Sequence, residues 1–141
     1  MKIPFLMCLT LFSLGSSLQT EVHKLHIIVT GAKESGKTVY VAVFRPEDSF
    51  PKEEGAWKHG QFVSGAGEEV LDMELSYGDY AIAVYLDENG NGKLDKNVIG
   101  YPREQFGFSN NFRPKTGAPR FKNCRFVFSE TNATVTIRLS K

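Results

Sequence analysis

Apolar side chains recur at every second position in one run after another: Leu25, Ile27 and Val29; Leu71, Met73 and Leu75; Tyr80, Ile82, Val84 and Leu86; Val135, Ile137 and Leu139. A two-residue period is the geometry of a strand with one buried face, and beyond the N-terminus no long stretch carries a helical period. Polar residues fill the alternate positions, Asp72 and Glu74 in the second run and Thr134, Thr136 and Arg138 in the last. Thr38 to Phe44 differs, because Val39, Val41 and Val43 share one face while Tyr40, Ala42 and Phe44 share the other. A strand apolar on both faces is expected in the middle of its sheet. Opposite its large residues the 80–86 run carries only Ala81 and Ala83, which predicts close approach by another element. Cys124, Phe126 and Phe128 read as the inward face of a further strand. The fold expected is all-β, an antiparallel β-sandwich of about seven strands with long loops at one end.

Length and composition agree with one such domain. A chain of 141 residues supports a single core, and 13 glycines with 12% aromatics suit turn-rich β structure. With 17 basic against 16 acidic residues, no overall field draws the chain to nucleic acid. Pro46 and Pro51 interrupt residues 45–60, so that stretch is expected to be a long loop anchored by Phe50 and Trp57.

The N-terminus has the pattern of an export signal: Lys2, an apolar run from Phe5 to Phe12, then the small residues Gly15, Ser16 and Ser17. The run is too short to span a membrane, which needs about 20 apolar residues. Residues 1–17 are therefore expected to be a signal peptide and 18–141 a single exported domain, periplasmic or secreted. Processing would remove Cys8 and leave Cys124 without a disulfide partner.

The 80–86 run delivers the chain into Asp87-Glu88-Asn89-Gly90-Asn91-Gly92-Lys93-Leu94-Asp95. Oxygen-bearing side chains at alternate positions, with glycine at the sixth, match the first nine positions of an EF-hand-type calcium loop. Asp87, Asn89, Asn91 and Asp95 are the expected side-chain ligands of Ca²⁺, and Lys93 the backbone-carbonyl ligand. Val98 stands where the loop would carry its bidentate glutamate, leaving two formal charges on the ion. Affinity is then expected in the weak range of about 10⁻⁴ to 10⁻³ M, unless a later residue such as Glu104 completes the shell. The same residues contain two Asn-Gly pairs, the signal of a metal-free turn.

The excursion from 87 to 120 is too long for a mere connection. Phe106, Phe108, Ser109, Asn110 and Asn111 offer aromatic faces and amides that could stack on and hydrogen-bond to a carbohydrate or peptide ligand, or could tuck under the loop as a satellite core. A hydrolase reading would pair His59 or His26 with Ser109 or Asp95, but no spacing joins them.

The order of these segments, Val-Ala-Val-Phe at 41–44, Phe50-Pro51, Tyr-Gly-Asp-Tyr-Ala-Ile-Ala-Val at 77–84, DENGNGKLD at 87–95 and Gly-Phe-Ser-Asn-Asn at 107–111, resembles the bacterial secreted family DUF2141 over about residues 25–139. That resemblance implies no activity or ligand, because the family is one of unknown function. Tyr77-Gly78-Asp79-Tyr80 is also similar to strand starts in transthyretin-like and carboxypeptidase-regulatory-like sandwiches, a likeness of fold only. The expectation is a non-enzymatic extracytoplasmic binding or accessory module with a calcium-braced loop and no membrane span. The alternatives are an extracytoplasmic hydrolase and an envelope structural protein without a metal.

Overall fold

The alternating runs become strands in the computed structural model, which describes residues 19–141. The predicted export segment, residues 1–17, lies outside the described residues. Strand β1 (His23–Thr30) is the centre of a three-stranded sheet, between β4 (Glu69–Leu75) and β8 (Thr134–Arg138). The second sheet runs β3 (Lys58–Val63), β2 (Thr38–Phe44), β5 (Gly78–Asp87) and β6 (Phe106–Phe108). A short strand β7 (Phe126–Phe128) pairs with the start of β5, opposite Gly78–Tyr80. Strand β2 is central, as its two apolar faces require.

The two sheets stack as a β-sandwich, and the main core lies between them. Leu25 and Ile27 of β1 and Ile137 of β8 meet Val41 and Val43 of β2 and Ile82 of β5, all at most 1% exposed. Each such side chain contributes about 1.5–3 kcal/mol of burial. One pairing departs from the antiparallel expectation: β8 runs parallel to β1, with Ile27 opposite Val135 and Val29 opposite Ile137. The chain enters β8 from β7 in the other sheet, through a turn in which the Asn132 N–H donates to the Ser129 carbonyl. No hairpin joins β1 to β8, so no hairpin geometry dictates their relative direction.

The loop expected over residues 45–60 ends earlier than the sequence suggests, because β3 already begins at Lys58. Gly60 allows this: a Cβ there would lie 2.3 Å from Met73 Cε and 2.7 Å from Leu71 Cδ2, side chains of β4 in the facing sheet. Phe50 anchors the loop through edge contacts with Phe44, Phe108 and Phe121, and Trp57 stacks on Tyr80 with Arg45 over its ring.

Cys124 is not in a strand, contrary to the alternation of Cys124, Phe126 and Phe128. It ends a one-turn helix, α1 (Phe121–Cys124), which Asn123 closes by accepting the Arg120 N–H on its side-chain oxygen at 3.1 Å. Cys124 and Phe128 consequently face different cores. Phe128 joins the inter-sheet core, whereas Cys124 packs with Ala81, Tyr85, Phe106 and Phe108 on the outer face of the second sheet.

That second cluster fixes the outer face. Gly107 lets β6 press against β8, since a Cβ there would fall 2.8 Å from both the Arg138 carbonyl oxygen and Ile137 Cγ2. Arg113 then ties the two strands, its guanidinium donating to the carbonyls of Phe106 at 3.0 Å and Arg138 at 2.9 Å and lying 5.0 Å from the Phe106 ring centre.

Candidate functional site

Strand β5 carries Asp87 to the start of the oxygen-rich loop and buries it there, 3% exposed. Its Oδ1 accepts the N–H groups of Gly90 at 2.9 Å and Asn91 at 3.1 Å, and its Oδ2 that of Gly92 at 2.7 Å. A carboxylate can accept several N–H groups at once, so one side chain shapes the whole turn. Gly90 and Gly92 have φ of 78° and 73°, the left-handed backbone that the two Asn-Gly pairs supply.

Two of the remaining candidate ligands, Asn89 and Asn91, converge on the carboxylate of a third, Asp95. Asn91 Nδ2 donates to Asp95 at 3.0 and 3.1 Å, and Asn89 Nδ2 donates to the same carboxylate. Asn89 Oδ1 accepts the Asn91 N–H and Asn91 Oδ1 the Lys93 N–H. A half-turn of either amide would exchange nitrogen for oxygen beside Asp95 at the cost of its backbone hydrogen bond. Among the described residues no group of three or more His, Cys, Asp or Glu side chains is placed to hold a metal ion. The donor set of this loop is instead two carboxylates, two amides and the Lys93 carbonyl, hard oxygen chemistry suited to Ca²⁺.

Glu104 is placed differently from a ring-closing ligand. It is 4% exposed, and its two oxygens accept the N–H of Glu88 at 2.9 Å and of Asp95 at 3.0 Å, clamping both ends of the loop. From below, the Tyr85 hydroxyl donates to the Gly92 carbonyl at 3.1 Å, and Tyr85 stacks on Tyr40 with ring centres 5.1 Å apart. Burial holds the Tyr85 phenol well above its ordinary pKa, so it stays a donor.

The loop forms one wall of a groove of about 810 Å³ on the outer face of the second sheet. Register explains the depression. Ala42 of β2 sits directly opposite Ala83 of β5, and the next outward-facing pair on that side is Tyr40 with Tyr85. Two small side chains beside two large ones leave a hollow, which Phe106 and Phe108 of β6 border. Ala81, the other small residue of this face, is wholly buried in the cluster that holds Cys124. The walls are the Pro51–Glu54 turn, the loop residues Lys93, Leu94 and Lys96, and the segments 99–102 and 114–119.

One lip of the groove is apolar and exposed. Asn97 Oδ1 accepts the N–H groups of Ile99 at 3.1 Å and Tyr101 at 2.9 Å, and the Asn97 N–H donates to the Tyr101 carbonyl at 2.8 Å. The turn this side chain holds presents Val98 and Ile99 to water, 104% and 84% exposed. Ala42, Tyr40, Asn97 and Ile99 carry no motif, and sequence reading did not select them as site residues. The only signal pointing toward the groove was the pair of small residues in the 80–86 run.

Of the sequence-predicted ligand residues, Phe106 and Phe108 reach the groove, 2% and 9% exposed. Ser109 is wholly buried elsewhere; its Oγ accepts the Ile82 N–H at 2.9 Å and donates to the Cys124 carbonyl. Asn110 donates its amide to the Arg125 carbonyl, and Asn111 clasps β8, donating to the Thr136 carbonyl and accepting the Arg138 N–H at 2.8 Å. Both adopt left-handed backbone, φ 60° and 48°, which asparagine tolerates. His26 pairs with Asp72 at 2.6 Å on the outside of the three-stranded sheet, and His59 is exposed on β3. Burial pushes the Cys124 thiol up to about 12, which keeps it protonated.

The family model described as an uncharacterized protein conserved in bacteria, DUF2141, matches residues 27–136. No curated protein and no solved structure matches the chain. The chain belongs to the DUF2141 family.

Proposed function

We propose that this member of the DUF2141 family is an exported, non-enzymatic binding module whose groove is braced by Ca²⁺ in loop 87–95. The observation that carries the reading is the double use of one segment. Lys93 would offer its carbonyl to the ion, while Lys93 and Leu94 are both lining residues of the groove. A bound ion would supply the positive centre that draws Asp87, Asn89, Asn91 and Asp95 together. Asp87 and Glu104 already hold the turn by its backbone, so those four donors are partly preorganised. The Tyr85 hydrogen bond to Gly92 passes the position of the loop to the groove floor. The non-enzymatic reading is supported by where the reactive side chains lie: Ser109 and Cys124 are wholly buried, and His26 pairs with Asp72 in the other sheet. Export rests on the pattern of Lys2, the apolar run and the small residues before residue 18.

Thermal melting with added Ca²⁺ tests the brace. An ion that binds only the folded chain at a Kd of about 0.1–1 mM should add roughly 1.4–2.7 kcal/mol at about 10 mM. The melting temperature should rise by at least about 4 °C. Mg²⁺ should do much less, because it dehydrates reluctantly. Asp87→Asn should remove most of the calcium response. No shift at about 10 mM Ca²⁺ would mean that the loop is a plain Asn-Gly turn.

A further inference from the structure

The groove floor offers a ligand very few hydrogen-bonding groups. Strand β2 is paired on both sides by β3 and β5, and β5 is paired over this stretch by β2 and β6, so the backbone beneath the groove is engaged in the sheet. The side chains facing out are Ala42, Ala83, Phe106 and Phe108, together with Tyr40 and Tyr85. The Tyr85 hydroxyl is already bonded to Gly92. A sugar or a peptide main chain pressed onto this floor would find the Tyr40 hydroxyl and would leave most of its own hydroxyls or amides unpaired, whereas a hydrocarbon chain would lose far less.

The rim has the opposite character. Lys52, Lys93, Lys96 and Lys115 line it, against Glu53 and Glu54, a local excess of two positive charges by subtraction. Lys52 shares its turn with both glutamates, and Lys93 and Lys96 share their loop with Asp87 and Asp95, so the positive excess is greatest beside Lys115, where residues 113–122 carry Arg113, Arg120 and Lys122 as well and no acid. Lys93, Lys96 and Lys115 are exposed. Among the described residues, the lysine ion pairs involve Lys24, Lys37 and Lys141 only, which leaves Lys93, Lys96 and Lys115 free to meet an incoming anion.

We propose that the groove takes a linear aliphatic anion, its hydrocarbon chain laid over Ala42 and Ala83 and its charged end among Lys93, Lys96 and Lys115. The inference rests on the groove being the ligand site; it does not require the loop to hold calcium. A volume of about 810 Å³ accommodates a ten-carbon chain with its head group. The exposed Val98 and Ile99 extend the apolar track beyond the mouth.

Isothermal titration of the full chain with decanesulfonate, below its micelle concentration, tests the assignment. A sulfonate is chosen because it forms no insoluble calcium soap, so the titration can be run both in chelator and in Ca²⁺. The expected result is saturable binding of one molecule per chain, with decyltrimethylammonium at least about tenfold weaker because its charge is repelled. Lys96→Glu with Lys115→Glu should weaken the sulfonate by about tenfold or more; both side chains are exposed, so this variant keeps its fold. Ala83→Leu, checked for an intact melting transition, should abolish binding by filling the floor. Equal affinity for the anionic and cationic chains, or undiminished binding in both variants, would overturn the proposal. So would tighter binding of a neutral oligosaccharide or a peptide of matched size. Because Lys93 is left unchanged and both ionic conditions are run, failure here is separable from failure of the calcium brace, which melting alone decides.

Discussion

Removing the Glu104 carboxylate should loosen the loop more than any other single change outside its own sequence. Glu104 is 4% exposed, and each of its oxygens accepts a backbone N–H, from Glu88 at 2.9 Å and from Asp95 at 3.0 Å. Hydrogen bonds to a charged group contribute about 1.5–3 kcal/mol each, so two give roughly 3–6 kcal/mol before offsets. Part of this is offset because alanine no longer has to desolvate a carboxylate, and because water can reach the half-buried N–H of Asp95. A net cost of about 2–3 kcal/mol for Glu104→Ala follows. Glu104→Gln keeps one acceptor and turns an amide N–H₂ toward an N–H, and should cost about 1–2 kcal/mol. Urea denaturation followed by circular dichroism reads both. With a slope of about 1.5 kcal/mol/M, the midpoint should fall by roughly 1.3–2 M for alanine. Glu130→Ala, at an exposed position, is the control and should stay within about 0.5 kcal/mol of the parent. A Glu104→Ala midpoint no different from that control would refute the clamp and, with it, the idea that the loop is held in shape before any ion arrives.

Two further outcomes are expected. Cys124 should be alkylated slowly in the native protein up to high pH and rapidly in denaturant, because burial pushes its thiol up to about 12; equal rates would place it at the surface. Asp48 accepts the Arg45 backbone N–H at 2.7 Å and its guanidinium at 3.1 and 3.3 Å, and the hydrogen bonds from Arg45 hold its carboxyl below the ordinary range. A depressed folded-state value stabilises above the ordinary carboxylate value of about 3.9 and is lost as pH falls through the lower folded value. Asp48→Asn should therefore lower stability at neutral pH and flatten its decline below about pH 4, an expectation that a pH series of urea midpoints checks.

What the sequence showed of this fold was whatever a local period can carry. β1, β4 and β8 each bury one face at every second residue; β5 buries its large-residue face in the inter-sheet core and its other face in the second cluster, and β2, apolar on both, lies inside its sheet. Relations between distant segments were not legible. The parallel pairing of β1 with β8 depends on the route taken through β7, which leaves no mark on either strand. At Cys124 a local signal misled: the alternation with Phe126 and Phe128 mimics a strand, but Asn123 closes a helical turn and Phe121 packs against Phe50. The turn at 87–95 was legible because its Asn-Gly pairs and the acceptor side chain of Asp87 fall at the fixed spacings a tight turn imposes. The groove was not, because it arises from the register that sets Ala42 opposite Ala83. The amides of Asn110 and Asn111 looked available in sequence, yet the left-handed turn they form directs both to backbone groups of neighbouring segments.

Amide-resolved nuclear magnetic resonance during a Ca²⁺ titration is the most direct test that the ion braces the groove. The account predicts saturable shifts with one common Kd at Gly90, Asn91, Gly92 and Lys93, where backbone N–H groups bond to the ligand side chains. The same Kd should be read at Leu94 and Lys96 on the groove wall, and at Tyr85 beneath it through the hydrogen bond to Gly92. Shifts that never saturate up to about 10 mM Ca²⁺, or that fall only on exposed acidic residues such as Glu68 and Glu130, would contradict it.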